Sequence, residues 1–215
     1  MVTELPLFPL NLVLFPGMPL NLHIFEERYK LMINECIEKR QPFGIVLISN
    51  NETDTSQNAE PHLIGCTAQI TQVQPLSQGR MNITVIGRER FHVLSLNHDK
   101  PYLSGTTETY PMIVDDTPQI PLLKHCIQRY LRVLQETGQI QTTQSTLPND
   151  SKVLVYLAAV LLQVEPIKKQ ELLSMESVSA MTDTLIKLYQ YETLLLNTLL
   201  SPPDEIDVDG IFSLN

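Results

Sequence analysis

The hydrophobic repeat of this chain changes once, at Asp115-Asp116-Thr117-Pro118. Before that point apolar and polar residues alternate. Met81, Ile83 and Val85 are separated by Asn82 and Thr84, the two-residue period of a half-buried strand. After it, Leu122, Leu123, Cys126, Ile127, Tyr130, Leu131 and Leu134 recur at three- and four-residue steps, one stripe of a helix. An acidic or Thr cap followed by Pro is also a helix start. Strands first and helices second is the α+β pattern.

The strand-rich half opens on an apolar stretch interrupted by Pro6, Pro9, Pro16 and Pro19. Proline forbids a continuous helix and cannot donate to a ladder, so short extended pieces with turns between them are expected. Pro16-Gly17 separates Leu10–Phe15 from Leu20–Ile24. Glu26–Arg40 reads as a helix. Tyr29, Met32, Ile33, Cys36 and Ile37 form its apolar stripe, acids stand at its start and bases at its end, and Pro42 stops it. Strands are expected at Phe43–Ile48, Leu63–Gln74, Met81–Val85, Phe91–Leu96 and Tyr102–Tyr110. Gly87 marks a bend or bulge. Ser49–Pro61 is polar and reads as an exposed loop. This spacing predicts a small antiparallel barrel or sandwich.

In the second half the first helix runs to Gly138 and a polar loop covers Gln139–Asp150. Asp150 or Ser151 caps a very apolar helix ending near Val164. Pro166 opens another to Met175, and Ser177 or Ser179 caps a last one reaching Leu200. The expected organisation is a barrel over 1–116, helices over 117–200 and an acidic tail over 201–215.

The chain has 215 residues, 15 Lys+Arg, 24 Asp+Glu and a net charge of −9. That length is enough to bury about 70% of the unfolded surface without staples. An acidic surface disfavours nucleic acid and anionic membranes. Cys36, Cys66 and Cys126 are too few and too scattered for a disulfide framework and suit a reducing compartment. No base precedes Arg28, as a secretory leader would require. The longest apolar run, Val153–Leu162, is about half a membrane span. The expectation is a soluble cytoplasmic protein.

Several separate pieces carry a resemblance. They are Leu5-Pro6-Leu7-Phe8-Pro9-Leu10, Leu14-Phe15-Pro16-Gly17 and Leu22-His23-Ile24-Phe25-Glu26-Glu27-Arg28-Tyr29. Pro42-Phe43-Gly44-Ile45-Val46, Ile64-Gly65 and Gly87-Arg88-Glu89-Arg90-Phe91 follow in order. Together they resemble the Lon protease N-terminal domain family, with Glu27 where many members have Pro. Gln170-Glu171-Leu172-Leu173 and the long helix after it look like the family's helical extension. The resemblance implies a PUA-like β pseudo-barrel with one helix, followed by a C-terminal helical bundle. In Lon this part binds and sorts unfolded protein substrates; in cereblon a similar domain is a scaffold within a ubiquitin-ligase receptor. No phosphate-binding loop of the Gly-x-x-x-x-Gly-Lys type occurs, and the Ser-Lys protease domain has no room.

Signals for chemistry are weak. His62 and Cys66 would lie about 13 Å apart on a strand, and no Cys-x-x-Cys occurs, so no metal is expected. His125 and Cys126 face different ways on a helix. His23, His92 and His98 belong to no nucleophile motif. Glu205, Asp207, Asp209 and Gly210 match part of a calcium loop, but its twelfth position falls past the last residue; a solvated acidic tail is the better reading.

Arg88 and Arg90 could grip a carboxylate or carbonyl of a bound peptide. The stronger reading ties them internally to Glu26 or Glu27. Phe8, Phe15, Met18 and Phe25 read mostly as core, with Met18 the most exposed. The expected function is non-enzymatic binding of unfolded or extended protein segments, with no cofactor. The candidate contacts are Phe15, Met18, Glu27, Arg28, Arg88 and Arg90, in a groove between barrel and helices. A protease or other quality-control component is an expected partner. The alternatives are RNA binding on a stripe of Arg80, Arg88, Arg90 and Lys100, and a hydrolase with an unrecognised site.

Overall fold

The structure, a computed structural model, describes residues 2–48, 60–116, 119–136, 138 and 146–200. The expected cap at Thr117-Pro118, the tail from 201 and most of the two polar loops lie outside the described residues.

Six strands form one sheet: β1 (Val2–Leu10), β2 (Pro19–Ile24), β3 (Phe43–Leu47), β4 (Ile64–Pro75), β5 (Met81–Asn97) and β6 (Ser104–Thr109). The order is β2-β5-β4-β3-β1-β6, and β5 also pairs with β6. That last pairing closes a ring of five strands. β5 is long enough to serve twice: Met81–Ile86 pair with β2, and Phe91–Asn97 pair with β6.

The ring is not wholly antiparallel. β1 and β3 run parallel, Leu7 opposite Gly44 through Leu10 opposite Leu47. Helix α1 (Glu27–Lys39) lies between β2 and β3, and parallel neighbours need such a crossover. The prolines also behave differently from expectation, because β1 runs unbroken through Pro6 and Pro9. Its flanks explain this. β6 pairs with Val2–Pro6 and β3 with Leu7–Leu10, so each edge of β1 is paired over only half its length. A residue without N–H is tolerated where a ladder has ended.

α1 buries Tyr29, Met32, Ile33 and Cys36 against the sheet and ends at Arg40, a left-handed cap with φ 51°. Leu14, Ile24, Phe43, Ile45, Cys66, Ile83 and Val85 complete that core. A smaller cluster of Leu5, Leu7, Val46, Phe91 and Val93 forms a second packing unit on strands of the ring.

Four helices follow: α2 (Ile120–Glu136), α3 (Ser151–Leu161), α4 (Pro166–Leu173) and α5 (Val178–Leu200). The Asp150 carboxylate accepts from the Val153 N–H and caps α3, and Pro166 opens α4. Ser177 Oγ accepts from the Ala180 N–H at the start of α5, and Asp115 accepts from the Ser179 N–H. So Asp115, expected to help start the second half, instead holds the last helix. The helices share one apolar cluster with Val13, Phe15 and Leu47 from the strand half.

Candidate functional site: the barrel mouth and the outer sheet face

Four of the six candidate residues meet around Gly87. The Gly17 N–H donates to Gly87 O at 2.8 Å, and the Gly87 N–H donates to Met18 O at 2.9 Å. This close approach seats the Pro16-Gly17 turn on the middle of β5. It also buries Phe15 completely, at 0% exposure, among the helices and near Tyr156. Met18 is half-buried and packs against both large clusters. The space expected to be a groove between strands and helices is therefore filled at Phe15, and Met18 is not its exposed rim.

Arg90 is 3% exposed. Its Nη1 donates to Leu173 O at 2.7 Å and to Met175 O at 2.5 Å, at the end of α4. Its guanidinium lies 4.7 Å from the centre of the Tyr110 ring. Tyr110 Oη adds a bond to Ser174 O. Arg90 is held internally, as one of its two readings expected, but by carbonyls that a helix end leaves without intrahelical donors and not by Glu26 or Glu27. Burial pushes its pKa down, and among the described residues Nε and Nη2 find no partner.

Arg88 is exposed, and among the described residues its side chain has no ion-pair or hydrogen-bond partner. It stands at a groove of about 260 Å³ floored by Leu5 and Phe91, with Thr67, Thr107 and Glu108 on its sides. A bulge builds this wall. The register between β4 and β5 shifts between Cys66 and Ala68. Thr67 Oγ1 bridges the irregularity, accepting from the Glu89 N–H at 3.0 Å and lying 3.2 Å from Glu89 O. Thr107 Oγ1 donates to Thr3 O, which fixes the opposite wall. Glu108 faces His92 Nδ1 at 3.5 Å. The groove thus joins an apolar floor, hydroxyl walls, the carboxylates of Glu89 and Glu108 and a guanidinium that has no partner among the described residues.

A larger groove, about 410 Å³, runs over the outer face of β2, β5 and β4. Its side chains form two separate sets of bonds. His23 Nδ1 lies 2.7 Å from Asn82 Oδ1, Asn82 Nδ2 points to Gln74 Oε1, and Thr84 Oγ1 donates to Asn21 Oδ1 at 2.9 Å. Phe25, expected in the core, is 58% exposed beside this face, its ring stacked on His23 at 5.8 Å. The period explains it: Leu20, Leu22 and Ile24 turn inward, so Phe25 turns out. That alternation was the signal by which the residues of this face could have been found. Glu27 and Arg28 lie beyond the end of β2. Arg28 Nε pairs with Glu26 at 2.9 Å and its guanidinium covers Tyr29, while Glu27 pairs with Lys30.

The alternative chemistries find little support in this arrangement. Lys100 sits by Tyr102 and Glu35, Arg80 is bonded to Ser77 and Arg90 is interior, so the four bases do not present a free stripe. Among the described residues no group of three His, Cys, Asp or Glu could hold a metal. Burial raises the thiol of Cys36 to about 11 and that of Cys66 to about 12, far from a reactive thiolate. No described helix is long and apolar enough to cross a membrane.

Comparison with known proteins places this geometry. A Lon protease of Parabacteroides distasonis is 30% identical over 102 residues, 47% of this chain and 12% of that protein. A LON peptidase N-terminal domain and RING finger protein of Schizosaccharomyces pombe is 32% identical over 106 residues, 44% of this chain and 22% of that protein. The chain therefore spans a minor fraction of these relatives. A crystal structure of a Lon N-terminal domain protein from Xanthomonas campestris shares the fold, with a TM-score of 0.67, 24% identity and coverage of 86% of this chain and 98% of that one. The family described as the ATP-dependent protease La (LON) substrate-binding domain matches residues 4–190, and this chain belongs to it.

Proposed function

We propose that this chain binds extended segments of unfolded protein and does no chemistry on them. The observation that carries the reading is the family match over residues 4–190, in a family described by substrate binding. The barrel-mouth groove supports it. A guanidinium with no partner among the described residues, above an apolar floor, suits a segment that offers apolar side chains and a main-chain carbonyl. Arg88 is the contact we assign there. Met18, Glu27 and Arg28 are peripheral to it, Phe15 is buried in the cluster with the helices, and Arg90 lines the groove from within.

Relatives with this domain are named as a protease and as a RING finger protein, which supports a protease or another quality-control component as partner. Three free, buried cysteines fit a cytoplasmic setting. The test is fluorescence anisotropy with labelled, reduced and carboxymethylated α-lactalbumin, a permanently unfolded chain. Binding at tens of micromolar is expected, weakened about tenfold in Arg88→Glu. No binding by the unaltered protein refutes the reading.

A further inference from the structure

We propose that the open edge of β2 is where an extended segment is held, by adding a strand to the sheet. This rests on the peptide-binding reading above and adds a second contact for the bound chain, apart from the groove at Arg88. Among the described residues β2 ends the strand order and pairs only with β5. Gly87 N–H donates to Met18 O, one residue before β2. Alternation from that bond turns the main-chain groups of Leu20, Leu22 and Ile24 toward β5. The N–H and C=O of Asn21 and His23 then face outward, two residues apart, the repeat of a partner strand. Among the described residues no other backbone group is bonded to them.

Proteins commonly blunt such edges with charge, proline, bulges or a cover. Pro19–Phe25 carries no charged residue, and its one proline is the first residue of the strand. The half-open edge of β4 differs: its register shifts between Ile70 and Gln72, and it ends at Pro75. The side chains at β2 leave its edge clear, since Asn21 and His23 are drawn onto the sheet by Thr84 and Asn82.

These surroundings specify the occupant. Leu20 and Leu22 are half-buried at the rim of the α1 core, so one side of an added strand meets apolar surface. The other side meets Asn21 and His23, and Phe25 stands past the end. The matching segment is uncharged and extended, with apolar residues at every second position. Main-chain pairing makes the recognition tolerant of sequence, which a binder of many unfolded chains requires.

The test compares Asn21→Pro with Asn21→Ala, using the same carboxymethylated lactalbumin. Proline at an outward edge position removes the donor and obstructs the partner while leaving the β5 ladder intact. Alanine removes only the side chain. The expected result is an affinity at least about tenfold lower for Asn21→Pro than for Asn21→Ala, which keeps the main-chain donor and acceptor. Amide exchange in the unaltered protein, read by NMR, should slow at Asn21 and His23 when the probe is added, and it decides the question even if the proline variant does not fold. Equal affinity of the two variants, or unprotected amides while the probe is bound, overturns the edge and leaves protein binding standing. Failure of the unaltered protein to bind overturns both. Protection that grows with protein concentration alone identifies a second copy as the occupant and also overturns the proposal.

Discussion

Gly87→Ala should be among the most damaging single-methyl additions in this chain. A Cβ there would stand 2.1 Å from Phe15 O and 2.9 Å from Phe15 C. Even a weak C–H···O contact settles near ~3.3 Å, so the two backbones must part by about 1 Å. Those backbones are joined by the Gly17-to-Gly87 bond at 2.8 Å and the Gly87-to-Met18 bond at 2.9 Å. Neither survives such a stretch, and two lost hydrogen bonds are worth about 2 kcal/mol. Phe15 must move as well. It is fully buried in the cluster that joins strands to helices, and forcing a packed core out of place adds about 1–2 kcal/mol.

The expected loss is therefore about 3–4 kcal/mol, or a fall in Tm of roughly 6–16 °C for a chain of this size. Gly17→Ala is the control. Gly17 has φ +83° and nothing within 4 Å of an added Cβ, so only backbone strain of about 1 kcal/mol applies. Urea and thermal unfolding followed by circular dichroism would rank the two. A Gly87→Ala protein as stable as Gly17→Ala refutes the account of this junction.

Two further predictions concern the attachment of the helices. Arg90→Ala leaves Leu173 O and Met175 O without their donor and should cost about 3 kcal/mol in urea unfolding. Arg90→Met should cost less, because it fills the space and removes a cation whose Nε and Nη2 are unpartnered; equal midpoints for all three proteins would exclude a clamp. The second concerns Asp115, whose carboxyl is held below its ordinary pKa by the Ser179 hydroxyl and then by the Ser179 N–H. A depressed folded pKa gives stability that is present above the unfolded value, ~3.9, and is lost as pH falls through the folded one. Thermal melts should show the unaltered protein's advantage over Asp115→Asn shrinking only below about pH 4; an advantage independent of pH would remove the carboxylate's charge from the explanation.

The legible and illegible parts of this fold divide on a physical line. Periodicity reports which face of an element is wet, and there the sequence is informative. The stripe Tyr29–Met32–Ile33–Cys36 is the buried face of α1, and Met81, Ile83 and Val85 are buried on β5. Which strands become neighbours is set by long-range pairing that periodicity does not encode. The parallel β1–β3 pair was therefore missed, although the helix between β2 and β3 was in view. Proline was read too strictly for a related reason. Whether a missing N–H matters depends on whether a neighbour occupies that edge, and β1 changes neighbours at Pro6.

The same line runs through the candidate site. Arg88 and Arg90 are two residues apart on one strand, yet among the described residues one has no side-chain partner and the other is bonded to the end of α4. Only the position of α4, some 80 residues on, distinguishes them. Side-chain reasoning also favoured Phe15 and Met18, apolar residues near turns, because motif reading looks for residues that carry chemistry. If main-chain groups do the holding, as proposed for β2, the binding element has no such residues to display. Its mark in the sequence is a run, Pro19 to Phe25, from which charge is missing at a place where an exposed strand ordinarily carries it. A binder that must accept many different chains is under no pressure to spell out any one of them. The resulting prediction for sequence reading is that such a site shows itself as an undefended edge, and only once the strand order is known.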